Sequence, residues 1–380
     1  MRTKLIRYIR KILNCIHKNG YHKNYVKIMK RNFITKSSNK AVRLAWIRKW
    51  SVFGQKADPI YFDVFSHYIG DSVDIVPENI CHDVIERILN PVHYDGFYAD
   101  KNNFDLFFPK GVLPTTILRK MNGFYLDADY NLLEITNDKL NSILNNCGCK
   151  KIVIKPTLDS SSGRGVKVAE KLSDSFYIVG SEKEIVSYNW LQSNYGSDFI
   201  IQEALEQFDY ISQFNPTSVN TLRLTVYRSV MNNECFVPSA IMRIGGKGSV
   251  VDNAHAGGGF VALKLDGSLG KKVFNQFGES SAIFNDIDFS KEYRIENFDK
   301  IVDFAKKVGK CVRNHRLLAL DIMVDALGNP RLIEFNTGTT GAYSMWLFQY
   351  TWTPAFGNFT DEIIDYCKNH LNEAQLHYYI

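Results

Sequence analysis

The stretch that most constrains this chain is Leu320-Asp321-Ile322-Met323-Val324-Asp325-Ala326-Leu327-Gly328-Asn329-Pro330-Arg331-Leu332-Ile333-Glu334-Phe335-Asn336-Thr337-Gly338. Two apolar runs flank Asp325, Gly328, Asn329 and Pro330, residue types that turn a chain back on itself. The spacing therefore predicts two buried, antiparallel strands joined by a tight turn. Side chains alternate along a strand, so Glu334 and Asn336 share one face, with Asp321 on the neighbouring strand. Two carboxylates and an amide carbonyl are hard oxygen donors of the kind that suits Mg2+. An ordinary hairpin with polar ends would leave the same pattern.

A second pattern lies upstream. Lys151-Ile152-Val153-Ile154-Lys155-Pro156 is a short apolar strand ending in a lysine, followed by Thr157-Leu158-Asp159-Ser160-Ser161-Ser162-Gly163-Arg164-Gly165 and a second strand from Val166 to Ala169. Gly163 and Gly165 allow positive φ and close backbone approach, Ser160, Ser161 and Ser162 add hydroxyl donors, and Lys155 sets a point charge against a phosphoryl oxygen. A phosphate loop between two strands fits, and so does a plain turn. No GxxxxGK[ST] occurs and no helix follows the loop, which excludes a Walker A site and a dinucleotide fingerprint.

In this order and at this distance the segments resemble the ATP-grasp superfamily. The resemblance is carried by Asp100-Lys101, by Lys155-Pro156 with the loop from Ser160 to Gly165, by Ile200-Ile201-Gln202-Glu203-Ala204-Leu205, and by Asp321 with Glu334-Phe335-Asn336. Ser218-Val219-Asn220-Thr221-Leu222-Arg223 and Val251-Asp252-Asn253 with Gly257-Gly258-Gly259 are most similar to the sugar-transfer-associated branch, named for its link to polysaccharide and glycosyltransferase pathways. The resemblance implies an α+β fold in which two α+β subdomains clasp ATP; many family members begin with a βαβ domain that helps bind the acceptor, but residues 1–95 here read as a helical N-terminal region without the alternating strands such a domain needs. The segments would be 1–95 (helical and basic), 96–200 (with the phosphate loop) and 201–380 (with the metal site).

It also implies roles. Lys101 and Lys155 would contact the ATP phosphates under a lid formed by Ser160 to Gly165. Gln202, Glu203, Ala204 and Leu205 would lie against the adenine edge through their backbone, with Glu206 or Asp209 reaching the ribose. Asp321, Glu334 and Asn336 would hold Mg2+. The implied activity is an ATP- and Mg2+-dependent ligase that joins a carboxylate to an amine through an acylphosphate, acting on cell-surface polysaccharide or its precursors. A kinase-like phosphotransferase on a sugar and a non-catalytic nucleotide-binding scaffold for glycosyltransferases are the alternatives.

Within the matched segments, one further position departs from the family pattern. Some amide-forming members carry an arginine two residues before the first metal-binding acid, where this chain has Ala319. Arg223 or Arg243 would have to take its place, with Asn253 beside the acceptor. Arg223 lies mid-strand between Leu222 and Leu224, so it points away from those leucines and needs an anionic partner: a substrate group or an internal ion pair. Lys247, Asp252 and His255 share the polar loop after Arg243, and His255 reads as an ordinary loop histidine.

Charge is unevenly placed. Of 46 Lys and Arg, 15 fall in the first 50 residues, which hold no Asp or Glu; from position 51 onward 31 basic residues face 40 acidic ones. Leu5, Ile6, Ile9, Ile12, Leu13 and Ile16 recur at helical spacing beside Arg2, Lys4, Arg7, Arg10, Lys11 and Lys18. This basic amphipathic pattern over residues 1–18 suits peripheral contact with an anionic membrane, each cation contributing about 1 kcal/mol, or a helix docked with a solvated basic face. Without a nucleic-acid motif, the basic bias does not predict nucleic-acid binding. No run approaches a membrane span or a secretory signal, and the scattered cysteines read as reduced thiols, so the expectation is a cytoplasmic location, either free or peripheral on the inner face of the membrane. Tyr343, Trp346, Phe348, Tyr350 and Trp352 are read as core, with sugar stacking as the alternative. Helices are expected from Asp58 to His67, Pro77 to Asn90, Asn297 to Asn314 and Asp361 to Asn372, and strands from Leu222 to Val230, Cys235 to Arg243 and Phe260 to Leu265.

Overall fold

The computed structural model describes residues 20–376 apart from 55, 159–162, 182–183, 250, 255–256 and 338–344. The amphipathic segment at 1–18, Ser160, Ser161, Ser162, His255 and Tyr343 thus lie outside the described residues.

Residues 20–95 form helices, as their sequence demands. Helix 20–31 leads to Lys40–Trp50, Pro59–Ile69 and a helical stretch over 78–89 whose middle, Cys81–Ile85, is a π-turn. Asp58 caps Pro59–Ile69 by accepting from the Ile60 amide (3.0 Å), with Pro59 pre-set for the first turn. The buried Asp63 of that helix is met by a two-pronged Arg43 (2.9 and 2.9 Å), and Trp46 donates to the Ile75 carbonyl (2.7 Å).

Two antiparallel sheets follow. The first comprises β1 (Thr116–Met121), β2 (Phe124–Leu126), β3 (Leu132–Leu133), β4 (Lys151–Pro156), β5 (Lys167–Leu172), β6 (Ser175–Ile178) and β7 (Phe199–Glu203), in the order β3-β2-β1-β7-β4-β5-β6. Helices Asn137–Asn146 and Tyr188–Tyr195 bury Leu140, Leu144 and Leu191 against Ile152, Ile154, Phe199 and Ile201. Thr136 and Ser187 cap them by accepting the amides of Lys139 and Trp190 (both 3.2 Å).

The second sheet comprises β8 (Leu222–Arg228), β9 (Cys235–Ile244), β10 (Gly259–Leu263), β11 (Leu269–Phe274) and β12 (Ser280–Ser281). After a small hairpin, β13 (Ile283–Phe284) with β14 (Ile287–Asp288), come β15 (Leu317–Val324) and β16 (Pro330–Asn336), giving the order β12-β11-β10-β9-β8-β15-β16. One face carries Leu222, Leu224, Met242, Leu320, Ile322 and Phe335 against helix Phe298–Cys311. The opposite face has two zones. Tyr227, Ile241, Phe260 and Leu317 pack into the N-terminal helical core with Trp46, Trp50, Phe62, Phe65, Phe348 and Tyr350. Farther along the same strands stand Arg223, Arg243, Asp321, Glu334 and Asn336. The helical region therefore covers the sheet face that also bears the polar cluster.

The expected aromatic core is present in Phe348 and Tyr350, both buried, while Trp352 is half-exposed. The division expected between 200 and 201 falls inside β7, which lies at the centre of the first sheet between β1 and β4. The chain passes from one sheet to the other over 204–221, where Phe208 donates to the Val324 carbonyl and Ala326 to that of Glu206 (both 2.9 Å).

Candidate active site

Strand register assembles the acid–arginine cluster. On β8, β15 and β16, Arg223 pairs with Asp321 and Asp321 with Glu334, so three charged side chains stand in one row; Ala319 pairs with Asn336 one step along. Arg223 donates through Nε to Asp321 Oδ1 and through Nη2 to Oδ2, both at 2.6 Å, and Arg243 Nη1 adds a bond to Oδ2 at 3.1 Å. Arg243 Nη2 also meets Asp252 Oδ1 at 3.0 Å, and Asp252 Oδ2 accepts from the Thr221 amide (3.0 Å) and hydroxyl. Burial alone would raise the Asp321 carboxyl, but Arg223 and Arg243 outweigh it and hold it below the usual carboxylate range. Burial likewise opposes the Arg223 charge, and Asp321 more than restores it.

Facing this row is a pair of lysines. Asp100 caps a short turn, Lys101–Asn103, by accepting the Asn102 amide (3.0 Å), and the Lys101 amide donates to the Thr157 carbonyl (3.2 Å), tying the turn to the end of β4. Lys101 Nζ reaches Glu334 Oε1 at 3.0 Å. Burial and then the neighbouring Lys101 charge push the Lys155 ammonium down to about 8, against the pull of Glu334 and Asp105. Two cations set side by side in a partly buried site repel each other unless an anion joins them. Beneath them Arg119, wholly buried, donates to the Asn102 carbonyl and to Asp105 Oδ2 (both 2.6 Å) and stacks on Tyr130. Sequence reasoning missed Arg119, although the signal that singled out Arg223, a charge inside an apolar strand, applies to it equally.

The glycine end of the loop after β4 meets the segment that follows β9. Gly163 has φ +71°, and a Cβ there would lie 2.8 Å from Val251 Cγ1, so a side chain at that position would press into the segment after β9. At the loop's far end the Gly165 carbonyl accepts from the Tyr195 hydroxyl (2.8 Å).

The hinge residues have distinct duties. The Gln202 side chain is buried and donates to Pro114 O (3.3 Å) and Thr116 Oγ1 (3.2 Å), while Glu203 accepts the Thr115 amide and hydroxyl (both 2.8 Å). Ala204 donates its amide to the Lys151 carbonyl (3.1 Å). Glu206 and Asp209 are exposed just beyond, and Leu205 precedes them. Asn253 is buried beside Asp252, whereas the exposed Lys247 pairs with Asp286.

The donor set fits a hard cation held jointly with phosphate. Among the described residues no three Asp, Glu, His or Cys side chains converge, which leaves two acids and an amide on one face. Asn336 Nδ2 donates to the Ala319 carbonyl (3.5 Å), so its oxygen is the atom suited to ligation. A carboxylate offers about four lone-pair positions, and the arginines and Lys101 use three on Asp321 and one on Glu334.

Two antiparallel sheets with facing lysines on one side and an acid–amide row on the other define an ATP-grasp protein. The sequence matches the family model described as sugar-transfer associated ATP-grasp over residues 91–351, and the chain belongs to that family. No curated protein sequence matches it. Among solved structures it is similar to the D-alanine-D-alanine ligase from Coxiella burnetii, with 12% identity and a TM-score of 0.40 over 76% of this chain and 61% of that one. It is also similar to the biotin carboxylase domain of Hydrogenobacter thermophilus 2-oxoglutarate carboxylase (12%, TM-score 0.36, 66% and 42%) and to the D-cycloserine synthetase DcsG (11%, TM-score 0.38, 74% and 73%). The chain thus spans less than two thirds of the first two.

Proposed function

We propose that this protein is an ATP- and Mg2+-dependent ligase that activates a carboxylate and joins it to an amine, in the synthesis or modification of a cell-surface polysaccharide. The observation that carries the reading is the opposition of Lys101 and Lys155 to the row Arg223, Asp321, Glu334. The family's association with sugar transfer supports the polysaccharide setting.

In this reading Lys101 and Lys155 take the phosphate oxygens of ATP, and the backbone at Gly163 and Gly165 closes over them. The segment from Gln202 to Leu205 lines the adenine, and Glu206 or Asp209 reaches the ribose. Mg2+ on Asp321, Glu334 and Asn336 would neutralise charge on the transferring phosphoryl group. Arg223 and Arg243 occupy fixed positions, clamped by Asp321 and Asp252, where they can hold the acceptor carboxylate and stabilise developing oxyanion charge in place of the arginine missing at Ala319. Asn253 adds a neutral donor beside them.

Orthophosphate release from Mg-ATP against pools of amino acids and uronic acids tests this. Release that requires both a carboxylate and an amine is the expected result. Phosphate retained on a sugar hydroxyl would establish a kinase instead, and tight ATP binding without turnover over both pools would favour a scaffold.

A further inference from the structure

The C-terminal end of helix 20–31 carries an unusual residue. Ile34 donates its amide to the Met29 carbonyl (2.9 Å) and Phe33 to that of Lys30 (3.5 Å), the paired bonds of a Schellman cap. Phe33 holds the left-handed position of that cap at φ +54°, where glycine or asparagine is the usual residue, and its side chain is 91% exposed. A bulky aromatic in this conformation costs backbone energy and gains no packing in return. Such a residue makes physical sense when something outside the chain covers it.

The surroundings indicate what that is. Phe33 borders a shallow groove with Val26, Met29, Lys30, Ile34 and Thr35. Lys23, Lys27 and Lys30 recur at helical spacing along the same helix, all exposed, and Lys36 and Lys40 follow. Nearby carboxylates are already engaged: Asp58 with His22, Asp63 with Arg43, and Glu279 with Arg31. Among the described residues none of those five lysines forms an ion pair. Arg31 stacks 4.2 Å over the Phe277 ring, and Asn32 donates to the Phe277 carbonyl (2.8 Å), so the protruding tip is anchored to the second sheet's edge.

We propose that this face docks the protein peripherally on a bilayer bearing anionic headgroups, with Phe33 entering the acyl boundary and the lysine stripe lying among the headgroups. An aliphatic groove of valine, methionine and isoleucine suits acyl chains and offers nucleobases little to stack on. The chain's own residues 1–18 carry Arg2, Lys4, Arg7, Arg10, Lys11 and Lys18, so their charge repels the stripe and complements the same bilayer.

The test is sedimentation of the full chain with phosphatidylcholine vesicles, with and without phosphatidylserine. The expected result is partition onto the anionic vesicles only. Phe33→Gly should reduce that partition about tenfold, which corresponds to burying one phenylalanine ring, while the thermal midpoint holds or rises because glycine relieves the left-handed strain. Replacing Lys23, Lys27 and Lys30 together by glutamine should cost about a hundredfold, at roughly fivefold per cation. Undiminished partition of both variants would overturn the proposal. Absence of partition by the full chain, or tighter capture by single-stranded RNA that competes with vesicles, would overturn it as well.

Discussion

ATP binding should weaken about tenfold between pH 7 and pH 9, because a lysine with a pKa near 8 is about nine-tenths charged at the lower pH and about one-tenth at the higher. Lys155 has this property, its ammonium pushed down to about 8 by burial and by Lys101. Phosphate favours the charged form and raises the pKa in the complex, so binding takes up a proton in the window above the free value. At pH 8 the uptake should be about half a proton. Calorimetry with a non-hydrolysable ATP analogue, in buffers of different ionisation enthalpy, measures both quantities. Lys101→Met removes the second cause of the depression, so the pH at which binding begins to weaken should rise; Lys155→Met should abolish the step. A flat affinity between pH 7 and pH 9, zero proton uptake at pH 8, or a step that persists in Lys155→Met would refute the placement of these lysines against phosphate.

Asp321→Asn removes the carboxylate that both arginines share and leaves two partly buried guanidinium groups facing each other, so the protein should lose about 3–5 kcal/mol in urea unfolding along with Mg2+-dependent turnover. A loss under about 1 kcal/mol would show that Asp252 and Glu334 suffice as partners. Gly163→Ala places a methyl at φ +71° against Val251. The strain of about 1–2 kcal/mol should fall on the loop and weaken ATP binding roughly five- to thirtyfold while the urea midpoint stays near the parent's; unchanged affinity would detach this loop from the nucleotide.

Much of the candidate site is local in origin and was legible for that reason. The two-residue period places Glu334 and Asn336 together whatever the rest of the chain does, and the turn residues from Asp325 to Pro330 bring Asp321 opposite Glu334. The helix from Phe298 to Cys311 and strands β8 to β10 follow the same periodic rules, with ends no more than three residues from expectation. Short strands such as β2 and β3, and the polar helices Asn137–Asn146 and Tyr188–Tyr195, carry too little hydrophobic pattern to be read alone; their pairing and packing partners hold them in place.

The sequence by itself determined the hairpin that carries Asp321, Glu334 and Asn336, the lysine-ended strand with its glycine loop, and the helical, basic character of the N-terminal region, because each depends on neighbours a few residues apart. Only the tertiary structure decided that Arg223 and Arg243 share Asp321 across the second sheet, that Lys101 bridges to Glu334, and that Arg119 underpins the turn bearing Lys101. It alone set the helical region over the same sheet face as the polar cluster. These contacts join residues from about 17 to more than 200 positions apart, and the hydrophobic collapse that closes such distances leaves no periodic trace in any one segment.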